Sequence, residues 1–124
     1  MNLSDSIPEI TDVTRFIALA ESLLMIESSF VEGLRGNIVK AMLNPDDENV
    51  ARELYGQYER NLEMMADNLP GVKGQIGAQL LKAAIFREAG NEVMCDDFLY
   101  DAIVDAAQAG MDQLANEIRT LRVN

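Results

Sequence analysis

Apolar residues recur at helical steps along most of this chain. On a wheel of about 100° per residue, Val13, Phe16, Ile17, Ala20, Leu23, Leu24, Phe30, Val31 and Leu34 share one arc. Leu19 and Ile26 widen that arc to roughly 200°. The pattern predicts a first helix over residues 12–35, with Thr11 as N-cap and Asp12 in the first turn, where a negative charge suits the helix dipole. So wide an arc predicts a central helix packed on two sides. Gly36 and Asn37 mark its end, and residues 38–43 either continue it after a kink or form a short helix of their own.

The run Asn44-Pro45-Asp46-Asp47-Glu48 is the clearest boundary: an N-cap residue, proline at the first helical position, then three acids at the positive end of the dipole. The second helix starts there. It carries Val50, Leu54, Tyr58, Leu62, Met65 and Leu69 at steps of three and four, pairs Glu48 with Arg52, and stops near Asn68, before Pro70 and Gly71. Gly71, Gly74 and Gly77 make the following stretch flexible. A third helix then spans about residues 75–89, nearly encircled by Ile76, Leu80, Leu81, Ala84, Ile85 and Phe86, with Gly90 suited to its C′ position. The last amphipathic segment runs from about residue 92 or 96 to 121, with Leu99, Ile103, Ala106, Leu114, Ile118 and Leu121 on one side and Gly110 as a point of division. Apolar and polar residues nowhere alternate cleanly between turn signals, so no strand is predicted.

These elements define an all-α chain: one domain over residues 1–124, arranged as a compact bundle of four to five helices behind a loosely ordered segment, residues 1–10. Ala83, Phe86, Gly90, Cys95, Leu99 and Ala102 follow the small-large-Gly-small-large-small order of a tetratricopeptide hairpin, a partial resemblance from which Lys82 and Ala107 depart and which has no second copy. It implies stacked helical hairpins as the alternative architecture.

Composition narrows function more than fold. A chain of 124 residues buries roughly two thirds of its unfolded surface, enough for an ordinary core. With 21 acidic and 10 basic residues the net charge is −11, a field that repels phosphate backbones and anionic lipid, so neither nucleic acid nor membrane is an expected direct partner. Residues 1–10 have no signal-peptide character, and no apolar run approaches the ~20 residues of a membrane span. Cys95 is the one cysteine, which excludes an intrachain disulfide; the expected location is cytoplasmic. The chain has no histidine, which removes imidazole acid–base catalysis, catalytic triads and most zinc and di-iron sites. Neither Asp46-Asp47-Glu48 nor Asp96-Asp97 continues as a calcium loop. No cofactor, metal or catalytic residue is expected, and the chain is not expected to be an enzyme.

Three features break the bland pattern. Glu27 falls in the middle of the first helix's apolar arc, where burial would raise its pKa unless an arginine or hydroxyl meets it. A structural pair with Arg52, Arg60, Arg87 or a tyrosine is the plainer account. Asp97, Asp101, Asp105 and Asp112 fall within roughly 80° on a continuous last helix, although like charges at i,i+4 do not favour one. Such a stripe is either a solvated face or a dock for a basic partner. Ala18, Ser22, Met25, Ser29 and Gly33 form a small, uncharged face on the first helix, against which either the last helix or a partner subunit would pack. Met64, on the charged side of the second helix, suits partner binding because methionine adapts to varied apolar surfaces. Gly71-Val72-Lys73-Gly74 lacks the spacing of a phosphate loop and is a connector; Cys95 is read as an inert thiol.

The expected function is therefore a small acidic protein-binding module, such as an adaptor, small chaperone, or immunity or inhibitor protein, acting on one protein partner, which its charge suggests is basic, or as a homodimer. Its candidate contact residues are Asp97, Asp101, Asp105, Asp112, Ala18, Ser22, Met25, Ser29 and Met64. A nucleic-acid mimic that docks its acidic stripe in a basic groove is one alternative, and a carboxylate-dependent enzyme using Glu27 is the other.

Overall fold

The computed structural model describes residues 7–26 and 28–122 and contains six α-helices: α1 (Ile7–Leu24), α2 (Ser28–Met42), α3 (Glu48–Asp67), α4 (Lys73–Glu88), α5 (Glu92–Gln108) and α6 (Asp112–Arg119). A 3-10 turn at Pro45–Asp47 leads into α3. No strand occurs among the described residues. The all-helical expectation holds, but the helices number six and not four to five, because the first and last amphipathic segments are each divided.

The predicted first helix over residues 12–35 is two helices. The chain leaves α1 at Met25, whose φ is 60°, with the Met25 and Ile26 N–H groups both donating to the Glu21 carbonyl, at 2.7 and 3.3 Å. Apolar periodicity runs straight across this break, so nothing in the pattern announced it. Further departures follow at both ends. Helix α1 begins at Ile7, which puts Thr11 inside it and makes residues 7–10 helical, and α2 passes through Gly36 and Asn37 without stopping. Glu27 lies outside the described residues, as do the side chains of Phe30 and Val31.

The other boundaries match their sequence signals. The Asn44 side chain accepts from the Asp46 N–H at 3.1 Å, Pro45 takes the first helical position, and Asn68 closes α3. Val50 is the misfit of that helix: predicted to face inward, it is 49% exposed. Gly90 (φ 84°) and Gly110 (φ 79°) each end a helix in the left-handed conformation. The following N–H reaches back to a carbonyl five residues earlier in both cases, Asn91 to Phe86 and Met111 to Ala106, each at 2.8 Å. This double closure satisfies carbonyls that a helix end otherwise leaves open. Asn91 then caps α5 by accepting from the Met94 N–H at 3.1 Å.

The hub of the molecule is α4, not the first helix. It packs against α1, α2, α3 and α5, while α6 packs on α5. Ile76, Leu80, Leu81 and Ile85 are at most 1% exposed, and full burial of such side chains contributes about 1.5–3 kcal/mol each. Phe16, Ile17, Ala20 and Leu24 of α1, Tyr58 and Leu62 of α3, and Cys95, Leu99, Ala102 and Ile103 of α5 complete one core with them. Gly77 lets α1 come close, since a β-carbon there would stand 2.7 Å from Leu24 Cγ. The segment with tetratricopeptide-like order forms the α4–α5 hairpin, with Ala83, Cys95, Leu99 and Ala102 buried and Gly90 at the turn. Direct packing of α1 on α4 gathers the helices around a centre. No helix among the described residues is long and apolar enough to cross a membrane.

Candidate functional site

One face of α4, between α3 and α5, forms the floor of a groove. Gln75, Ala78, Gln79 and Lys82, at steps of three and four along α4, face Glu63, Ala66 and Asp67 of α3 across a cleft of about 350 Å³. On α3 the acids Glu59, Glu63 and Asp67 recur every four residues, so they stand along one edge of the helix. From α5, Phe98 and Asp105 reach Lys82 and Gln79 on the opposite side, and helical spacing puts Asp101 on the same face of α5 as these two.

Polar contacts tie these edges to the floor. Gln79 donates through Nε2 to Asp105 Oδ2 at 3.2 Å, while its Oε1 is buried with no hydrogen-bond partner among the described residues. Lys82 is the one buried charged residue of the described core. Its side chain is 11% exposed, its Nζ lies 3.3 Å from Glu59 Oε2, and the same nitrogen sits 5.6 Å from the centre of the Phe98 ring. Phe98 in turn stacks on Phe86 (5.8 Å), and Phe86 meets Tyr55 (5.3 Å). A lysine where the tetratricopeptide pattern has leucine is thus explained by a carboxylate on one side and an aromatic face on the other. Glu63, Asp67 and Asp101 have no ion-pair partner among the described residues. Carboxylates of α3 and α5 thus stand around the Lys82 ammonium.

The structure divides the residues singled out from sequence. Asp105 reaches the groove floor at Gln79, and Asp101 shares its face of α5 by helical spacing. Asp97 lines a different cleft of about 330 Å³, with Arg87, Cys95, Asp96 and Arg122. Asp112 leaves the stripe altogether: the turn at Gly110 starts a new helix there, so the continuous stripe of four aspartates does not exist. Ala18 and Ser22 border a shallow cleft of about 340 Å³ whose other side is Glu117 and Leu121. Arg15 Nη2 bridges the same helices by donating to Thr120 Oγ1 at 2.8 Å. Met25, 81% exposed, stands at the break after α1, and Met64, 65% exposed, follows Glu63 on α3. The Ser29 side chain lies outside the described residues.

Sequence reasoning missed the α3 edge. Its four-residue acidic spacing was readable, but only the placement of α3 across from α5 gives it meaning. Chemically the groove suits the seating of cations. Among the described residues no three carboxylate or thiol side chains converge to hold a metal ion. Cys95 is buried, and burial pushes its thiol pKa up more strongly than the hydrogen bond and charge of Arg87 pull it down. Burial likewise raises the phenols of Tyr55 and Tyr58. In comparisons with known proteins, no family model, curated protein or solved structure matches the chain.

Proposed function

We propose that this chain is a non-enzymatic protein-binding module whose α3–α5 groove seats a basic segment of a partner protein. One observation carries the reading. Carboxylates from two helices flank a groove in which a cation, the chain's own Lys82, is already held between a carboxylate and an aromatic ring. Arginine or lysine side chains of a partner would find Glu63 and Asp67 along the same groove, with Asp101 on the facing side of α5. A net charge of −11 adds long-range attraction for a basic segment and disfavours a second copy of this chain as the occupant. The nucleic-acid-mimic reading requires one long line of negative charge. The turn at Gly110 ends that line after Asp105.

Selection from a displayed random-peptide library tests this. Wild-type protein enriches lysine- and arginine-rich peptides that bind at micromolar level or better. Neutralising the groove with Glu63→Gln, Asp101→Asn and Asp105→Asn weakens them at least about tenfold, which corresponds to about 1.4 kcal/mol. Asp112→Asn leaves affinity unchanged. Enrichment of neutral peptides, or equal losses from Asp112→Asn and from single groove variants, rejects the assignment.

A further inference from the structure

The cleft that holds Asp97 is lined on one side by Arg122. Arg122, just beyond α6, meets Asp96 at the start of α5 fork-to-fork, Nε to Oδ1 and Nη2 to Oδ2, both at 2.7 Å. The same guanidinium lies 5.9 Å from the centre of the Tyr100 ring, one turn along α5. Two parallel hydrogen bonds between charged groups form the strongest kind of surface contact available to these side chains. Yet Arg122 and Asp96 are 38% and 43% exposed, so water and salt compete for both. Helix α6 has eight residues, too few to persist without support. It is held by burial of Leu114, Ala115 and Ile118 in the core, by the Arg15–Thr120 contact, and by this pair. Cys95, the residue before Asp96, lines the same cleft yet is only 2% exposed.

We propose that the Arg122–Asp96 pair is a clasp that fastens the C-terminal end of α6 over the cleft, so that its release opens the α5 surface around Cys95 to solvent. Closed, the clasp keeps Cys95 and Leu99 from water. Open, it hydrates the cleft and removes the burial that most raises the thiol's pKa, leaving Arg87 to lower it against the opposing charges of Asp96 and Glu92. Ionic strength and any ligand that competes for Arg122 or Asp96 therefore set how often this end of the molecule opens.

Cys95 is the only thiol in the chain, so its alkylation by uncharged N-ethylmaleimide, followed by mass spectrometry, reports the opening. Arg122→Gln and Asp96→Asn each accelerate labelling about fivefold at low salt. The double variant is no faster than either single, as for two halves of one contact. Added salt accelerates the wild type towards the variants and leaves Arg122→Gln unchanged. The two substitutions shift the local charge around the thiol in opposite directions, so acceleration by both separates access from electrostatics. Acceleration by Asp96→Asn alone, equal rates in all proteins, or a urea dependence as steep as that of global unfolding overturns the clasp.

Discussion

A β-carbon on Gly74 of α4 would stand 2.7 Å from the Cα of Ala66 in α3 and 2.9 Å from its carbonyl oxygen. Both are backbone atoms and cannot rotate aside, so the α3–α4 crossing that floors the groove depends on a hydrogen at position 74. Gly74→Ala forces the helices apart and is expected to cost about 1–3 kcal/mol. Gly36→Ala is the matched control: it lies inside α2 with nothing within 4 Å of the new methyl, and is expected to stabilise by about 0.5–1 kcal/mol. Urea denaturation of both variants checks the pair. Equal effects of the same sign would show that the crossing is not so close.

Three helices end alike, but only two use glycine. Gly90 and Gly110 take positive φ where α4 and α5 stop, whereas α1 stops at Met25, with φ 60° and 81% of its surface exposed. An L-residue costs roughly 1–2 kcal/mol in that conformation, part of which glycine returns through its freer unfolded chain. Met25→Gly is thus expected to raise stability by about 0.5–1 kcal/mol, and Gly90→Ala to lower it. A rise in thermal midpoint for Met25→Gly supports the break between α1 and α2; a fall would mean that Met25 continues a helix.

That same residue shows where sequence stops being legible. Asn44-Pro45, Gly90 and Gly110 carry their geometry in their own covalent structure, so the starts and stops they impose were readable one residue at a time. The left-handed turn at Met25 is imposed on a residue with no such preference while apolar periodicity continues across it, and it went unseen. Site residues divide similarly. Asp101 and Asp105 form a helical stripe legible in the sequence, whereas Asp112 joins it only on an unbroken helix. Glu59, Glu63 and Asp67 gain significance only because α3 and α5 both pack on α4, which local spacing does not encode. Lys82 was visible only as a departure from a repeat pattern, because its partners lie 23 positions back, at Glu59, and 16 ahead, at Phe98.

Lys82 separates groove stability from groove affinity. Removing its partner by Glu59→Gln leaves a largely buried ammonium without a counter-charge. Since Glu59 is 38% exposed, the cost is about 1–2 kcal/mol, less than the roughly 3–5 kcal/mol of a fully enclosed pair. Lys82→Met removes the charge with its own demand for a partner and lays a thioether on Phe98, so stability changes by less than about 1 kcal/mol. It also frees Glu59 and deletes the internal competitor for the seat. Basic peptides selected by the wild type are expected to bind Lys82→Met more tightly. Unchanged or weaker binding, with stability intact, would indicate that the Lys82 seat is not part of the docking surface.

Tyr58 and Tyr55 are expected to make the fold lose stability at alkaline pH. Tyr58 is 2% exposed and its hydroxyl has no hydrogen-bond partner among the described residues. Burial raises its pKa well above the ordinary value near 10, and the Arg35 charge offsets this only in part. Tyr55 is raised by burial, then by Glu59 and Tyr58. Below about pH 10 folded and unfolded chains both keep these protons, so the phenols add no pH dependence. Above it the unfolded chain releases protons that the folded chain retains, and stability falls as pH rises until the folded phenols ionise as well. Tyr58→Phe removes a hydroxyl that gains no bond from being buried, so at neutral pH it should change stability by no more than about 1 kcal/mol. Above pH 10 its unfolding free energy, from urea titrations at stepped pH, is expected to decline less steeply than that of the wild type, and Tyr55→Phe with Tyr58→Phe less steeply still. Identical alkaline slopes in all three proteins would mean that neither phenol is kept from water as the packing requires.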